Sequence, residues 1–396
     1  MSRRTPTLSA ALTLLLAFSL VAQPAGRRQL REMVRDVGDE DRQAKLQEIF
    51  ARYAKPMRER LRKARYQPGG ENARTETFVF KRTPTRNLKI YVDFPPSWKP
   101  DDRRPALVLW HGGGFTQGGA SQFLRQCDYF ARRGMVCARP EYRVADLDDV
   151  LPRVAIEDGV SAMRWLKSHT GELGVGPDRI AVGGGSAGGC MAAAIGTLDT
   201  LKFAEAGFIG QGEDPLLSVR PAAMILYNPF VDFFDPLNAR QIEEEMAMHG
   251  EDHREFEELY HLISAIEQLS ASSPPSIIQF GTRDAFYPQQ IRWIAKAREL
   301  GLVIHDYVYK GEVHSWYNNS PHIEYTTANV DRFLQSIGLL DGEPPVQLPH
   351  KLISPQRLAI QQGKYAQKTD WDTMERFQRF IRAHGIELIP YKHYER

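Results

Sequence analysis

The sequence has little with which to bind a polyanion, staple itself together or hold a metal. Its 51 lysines and arginines against 49 aspartates and glutamates leave a formal net charge of only +2 over 396 residues. So small a surplus gives no electrostatic footprint for nucleic acid, and no DNA- or RNA-binding motif is present. Cysteine is scarce. Cys127, Cys137 and Cys190 are too few for a disulfide framework in a chain of this length, and none stands at metal-ligand spacing. Cys137 lies in an apolar strand-like run and Cys190 in a small-residue helical run, so both are expected as buried free thiols. Internal repeats are absent. A Gly-Lys-Ser/Thr phosphate loop is absent too, which removes the Walker type of nucleotide site.

Long apolar runs are equally rare, and the one candidate is N-terminal. Arg3 and Arg4 precede Leu8–Ala22, and small residues follow near Ala22 and Ala25. A basic start, a short apolar run and a small-residue cleavage region make a secretory signal, shorter than the about 20 residues of a membrane span. The sequence leaves open an uncleaved anchor. A lipoprotein is disfavoured, because no cysteine stands near the cleavage region. A twin-arginine signal fits poorly with Thr5-Pro6-Thr7. Export to the periplasm or medium, without stable membrane insertion after removal of the signal, is the expectation.

What is present is an ordinary globular balance, 42% hydrophobic and 25% charged. From Gly26 to Pro68 the chain is charged with apolar residues at helical spacing, and Pro68-Gly69-Gly70 ends that pattern. Thr77–Lys81 and Leu88–Phe94 then read as strands, expected to be antiparallel. From Pro105 on, the apolar runs 106–110, 135–139, 180–183, 222–227, 276–280 and 303–309 alternate with helical stretches near 120–133, 152–168, 187–197 and 288–300, and another helix is expected near 323–337. That alternation predicts an α/β fold with a mostly parallel sheet covered on both faces. The layout is a leader over 1–25, a helical extension over 26–70, a catalytic domain over 71–340 and an accessory tail over 341–396. A charged helical insertion over 233–272 either covers the substrate or packs on the surface.

Chemistry concentrates at strand ends. Gly184-Gly185-Ser186-Ala187-Gly188 is a G-x-S-x-G motif between an apolar strand and an Ala-rich helix, the context in which a serine sits on a sharp turn as a nucleophile. Upstream, Ala106–Trp110 runs into His111-Gly112-Gly113-Gly114-Phe115. Consecutive glycines let backbone N–H groups face a developing oxyanion, and Gly113, Gly114 and Ala187 are the expected donors. His111 is expected to support that loop. The general base must come late if the order is Ser, acid, His, and His314 follows the last strand of the domain. Asp284 follows the penultimate strand and is the expected acid, with Asp232, one strand earlier, as its rival. His305 falls inside a strand, and His253 and His261 fall on the charged insertion without metal-site spacing.

Together these motifs resemble the hormone-sensitive-lipase-like branch of the α/β-hydrolases, over about Leu88–Leu340. Glu141-Tyr142-Arg143-Val144-Ala145 is similar to its D-Y-R-L-A stretch, and Ala155-Ile156-Glu157-Asp158 with Met163-Arg164-Trp165-Leu166 resembles the helix before the nucleophile strand. Three positions depart from it: Gly185 where an acidic or hydroxyl residue is usual, Ser315-Trp316 after the histidine instead of Gly-Phe, and Asp146-Leu147 instead of Pro-Glu. The resemblance implies a carboxylesterase that needs no metal or organic cofactor. It would act by two-step acyl transfer through Ser186, His314 and Asp284 on short-chain esters of small molecules. Phe115, Tyr287 and Trp316 are expected to line the substrate site. Acetylated saccharides are the alternative substrate, since export is expected and Phe115, Tyr287, Trp316 and Tyr317 near the site could stack on sugar rings as well as line an acyl pocket. A catalytically dead binding protein of the same fold is the contrasting class.

Overall fold

The computed structural model describes residues 74–237, 239, 242–243, 246, 254, 256–319, 322–343 and 375–389. All belong to one compact unit, Arg65–Arg396. The expected leader and helical extension, His253, and most of the 341–396 tail lie outside the described residues.

Among those residues one sheet of nine strands forms, in the order β1-β2-β4-β3-β5-β6-β7-β8-β9. The strands are β1 (Arg74–Arg82), β2 (Asn87–Phe94), β3 (Arg104–Trp110), β4 (Val136–Pro140), β5 (Val175–Gly185), β6 (Ala223–Tyr227), β7 (Ser276–Arg283), β8 (Ile304–Val313) and β9 (Leu388–Ile389). The β1–β2 and β2–β4 pairs are antiparallel and every other pair is parallel. The expected α/β fold with a mostly parallel sheet is what the chain adopts.

The two-residue period of a strand explains why the parallel strands read as unbroken apolar runs. Val108, Val182, Leu226 and Ile278 face one core, and their neighbours Leu107, Ala181, Ile225 and Ile277 face another. Helices α2 (Pro152–Ser168), α3 (Ala187–Thr197) and α6 (Tyr287–Glu299) add Ile156, Met191 and Ile294 to the first core. Helices α1 (Leu124–Arg132) and α7 (His322–Ser336) add Phe130 and Phe333 to the second. Burying such side chains stabilises a fold by about 1.5–3 kcal/mol each. Proline opens α2 and stands in the first turn of α6, where no intrahelical N–H is lost. Two short helices complete the region around the insertions, α4 (Thr200–Glu205) and α5 (Glu257–Ile263).

One expectation is corrected here. Cys137 is not a free thiol: it is disulfide-bonded to Cys127, with Cα atoms 5.2 Å apart, and only Cys190 remains free and buried. The cause is packing, because α1 lies directly on β4 and turns Cys127 toward the strand that begins just after it. The described part of the tail packs on the sheet. Helix α8 (Glu375–Ala383) buries Ile381 in the first core, and β9 pairs in parallel with Val308 and Tyr309 of β8.

Candidate active site

Five loops at the carboxyl ends of parallel strands converge, the place where ligands bind in sheets of this kind. Ser186 follows β5 directly. It is the N-cap of α3 and is held at φ 55°, a strained value for a residue with a side chain. Its N–H donates to Tyr227 O at 3.0 Å, and its carbonyl accepts from Cys190 N at 2.8 Å. A Cβ at Gly188 would collide with the backbone of Trp110 and His111, so the turn tolerates only glycine there. Ala187 opens α3, placing its N–H at the positive end of the helix.

The structure brings Ser186, His314 and Asp284 together. His314 Nε2 lies 2.8 Å from Ser186 Oγ, and His314 Nδ1 lies 2.9 Å from Asp284 Oδ2. Asp284 is fully buried and also accepts from Phe286 N at 2.8 Å through Oδ1. The side chain of His314 is 14% exposed, and the Phe286 ring meets its edge at 5.5 Å. Asn228, a buried residue at φ 34° just past β6, also adjoins it. Asn228 Nδ2 stands 3.2 and 3.3 Å from the two ring nitrogens. Near-equal reach to both places the amide over the imidazole face, because the ring plane between them is occupied by Cε1–H. The rival acid Asp232 is engaged elsewhere: Arg292 Nη2 donates to it at 2.9 Å, and it accepts from Phe234 N.

The glycine loop after β3 has three consecutive residues at positive φ: Gly113 at 125°, Gly114 at 62° and Phe115 at 55°. Such a run turns successive N–H groups toward one side. Gly113 O accepts from Thr116 N and Gln117 N at 3.1 Å, and Phe115 O accepts from Ala145 N at 2.9 Å. His111 underpins the loop. Its ring stacks on Tyr142 at 4.1 Å, its Nδ1 lies 2.9 Å from Gly112 O, and Tyr142 Oη donates to His111 O at 2.7 Å. Burial pushes the His111 pKa down to about 4, so it is neutral at physiological pH. The two motif stretches flanking this loop are one unit, since Arg143 grips Asp158 in a bidentate pair at 2.7 and 2.8 Å.

Above these groups a narrow cleft is lined by Ser186, Ala187, Gly114, Phe115 and Pro152 on one side. Phe230, Phe233, Phe286, Ile242 and Met246 complete it. Ser186 carries the only polar side chain among these lining residues. Phe115 lines this cleft, whereas Tyr287 and Trp316 do not. Tyr287 is fully buried against Phe280, and Trp316 packs on Tyr309 and His322. Each follows a proposed catalytic residue closely in sequence, but the turn between them aims the ring into the core. Sequence reasoning missed Ile242 and Met246. Their signal is a pair of apolar residues four apart in an otherwise charged helical stretch. Among the described residues no cluster of three or more His, Cys, Asp or Glu could hold a metal.

The profile of a family described as having the alpha/beta hydrolase fold matches residues 107–318. The apo form of Thermogutta terrifontis esterase 2 is 32% identical, covering 70% of this chain and 99% of that one, with a TM-score of 0.61. Its propionate-bound form is 31% identical, covering 69% and 97%, with a TM-score of 0.59. The carboxylesterase NlhH of Mycobacterium tuberculosis is 36% identical over 117 residues, 28% of this chain and 34% of that protein. The chain thus spans about a third of that curated relative's length.

Proposed function

Because the chain belongs to the alpha/beta hydrolase fold family, in its hormone-sensitive-lipase-like branch, we propose that it is a carboxylesterase acting on short-chain esters. The observation that carries this reading is the unbroken contact chain Ser186–His314–Asp284 at 2.8 and 2.9 Å beneath an apolar cleft. His314 Nε2 takes the Ser186 proton as Oγ attacks the ester carbonyl. Asp284 fixes the ring with its proton on Nδ1 and stabilises the imidazolium. The N–H groups of Gly113, Gly114 and Ala187 receive the oxyanion. Collapse expels the alcohol with the proton from His314, and water then repeats the sequence on the acyl-Ser186.

The cleft lining supports a short aliphatic acyl group: five of its residues are Phe230, Phe233, Phe286, Ile242 and Met246. Propionate- and butyrate-bound structures of the Thermogutta esterase support the same size class. A saccharide is less well served, since among the described lining residues Ser186 offers the only polar side chain, and three of the four expected stacking rings, Tyr287, Trp316 and Tyr317, are in the core. The test is hydrolysis of nitrophenyl esters from acetate to decanoate by wild type and Ser186→Ala. Activity should fall with chain length and vanish in the variant. An inert wild type that also resists a fluorophosphonate probe would instead mark a non-catalytic binding protein.

Export belongs to the same proposal. The N-terminal leader supports it, and so does the Cys127–Cys137 bond, because disulfides persist in oxidising compartments. N-terminal sequencing of the protein from a secreting host should find a start near residue 23 or 26; an intact Met1 in the cytosolic fraction would refute it.

A further inference from the structure

One side chain touches two of the loops that build the site and, through a third residue, the nucleophile turn. Gln122 lies in the 3-10 turn Ala120–Phe123 that precedes α1. Its Oε1 accepts from Gly112 N at 2.6 Å, at the root of the glycine loop. Its Nε2 donates to Tyr317 Oη at 3.1 Å and to Asn318 Oδ1 at 3.0 Å, both in the turn that follows His314. Tyr317 is fully buried and stacks between Tyr227 at 4.7 Å and Phe123 at 6.0 Å. Its hydroxyl fills the space beside Gly185 that a side chain there would need. The Tyr227 carbonyl in turn accepts the Ser186 N–H.

We propose that Gln122 and Tyr317 are positioning residues forming a cross-brace that sets the glycine loop in register with the nucleophile turn. The proposal rests on the esterase reading and adds residues to it. It also gives a cause for one departure from the branch's usual pattern: Gly185 stands where a larger residue is usual because the Tyr317 hydroxyl occupies the space its side chain would need. Oxyanion donors matter only when negative charge develops, so a loop set slightly wrong costs turnover rather than substrate binding.

The experiment compares wild type, Gln122→Leu, Tyr317→Phe and the double variant on nitrophenyl acetate. The readouts are kcat, KM, the melting temperature and inhibition by a trifluoromethyl ketone, which forms an oxyanion on the nucleophile. Gln122→Leu should lower kcat about 10- to 100-fold, less than the 10²–10³ lost with an oxyanion donor itself. KM should hold within about twofold, and the ketone's affinity should fall in step with kcat. Tyr317→Phe, the milder change, should lower kcat about 3- to 10-fold, and the double variant should be no worse than Gln122→Leu, because both cut one chain of contacts. Unchanged kcat in both single variants, independent losses that multiply, or a ketone affinity unmoved while kcat falls would each overturn the brace. An inert wild type, or an active Ser186→Ala, would overturn the esterase reading instead.

Discussion

The floor and the walls of this cleft are built on different principles. The floor consists of Ser186, Asp284, His314 and the glycine loop, each within a few residues of a strand end; backbone hydrogen bonds hold Ser186, Asp284 and the loop, and the Asp284 carboxylate holds His314. The walls are Phe230, Phe233, Ile242, Met246 and Phe286, held by ring-edge contacts such as Phe230–Phe233 at 4.6 Å and Phe230–Phe286 at 5.0 Å. Directional bonds fix atoms to fractions of an ångström, as proton transfer requires, whereas apolar packing fixes volume and little else. The floor should therefore fail abruptly under conservative change, and the walls should change what is accepted.

The largest effects belong to the floor. His314→Ala and Ser186→Ala should each lower kcat on nitrophenyl acetate by about 10⁴–10⁶, the scale of nucleophile or base loss in serine hydrolases, with KM little moved. If both variants kept a tenth of wild-type turnover, the division between floor and walls would be mistaken. Asp284→Asn should cost about 10⁴ by leaving the imidazole in the wrong tautomer. Asp232→Asn, which only loosens an ion pair with Arg292, should leave turnover within about tenfold. The reverse ranking would reassign the acid.

Much of the floor was legible because a catalytic group at a strand end announces itself by its neighbours: G-x-S-x-G after β5, H-G-G-G after β3, an Asp and a His after the last two strands of the domain. The walls were not, because their residues are scattered over 230–286 and only the fold gathers them. Tyr287 and Trp316 show the limit of reading by proximity, since one residue of turn separates a ring in the cleft from a ring in the core. The Cys127–Cys137 pairing was missed because spacing alone does not say that α1 lies on β4. The sheet itself was readable from its apolar runs except at its last edge, where the two residues of β9 are too few to show a period.

Smaller effects sharpen the contrast. Phe233→Ala or Phe286→Ala should shift the preferred nitrophenyl ester toward longer chains, with specificity ratios moving about 10- to 100-fold. Each should also lower stability by about 3 kcal/mol as a cavity opens in the core. A destabilised variant with an unchanged chain-length profile would mean that these rings support the fold without setting its specificity. The smallest effect lies just behind the floor. Burial pushes the Glu312 carboxyl up to about 7, and His322 Nε2 stands 3.6 Å from it. A carboxyl with a raised native pKa binds more protons folded than unfolded, so its cost to stability is absent below about pH 4.5 and grows up to about pH 7. Glu312→Gln should therefore raise the melting temperature at pH 8 and not at pH 4, the gain approaching at most about 3 kcal/mol. Equal shifts at both pH values would show that the Glu312 pKa is not raised in the folded protein.

The position of β9 bears on how the chain is made. Leu388 and Ile389 pair with Val308 and Tyr309, on the strand whose far end carries His314. During synthesis the outer edge of β8 must wait for about 75 further residues before its last partner leaves the ribosome, several seconds at least at usual rates of elongation. Through that interval Val308 and Tyr309 present unpaired backbone to any passing strand. The strand bearing the proposed base is thus the last of the sheet to be closed off, and the nascent enzyme is most exposed to misassembly on that side.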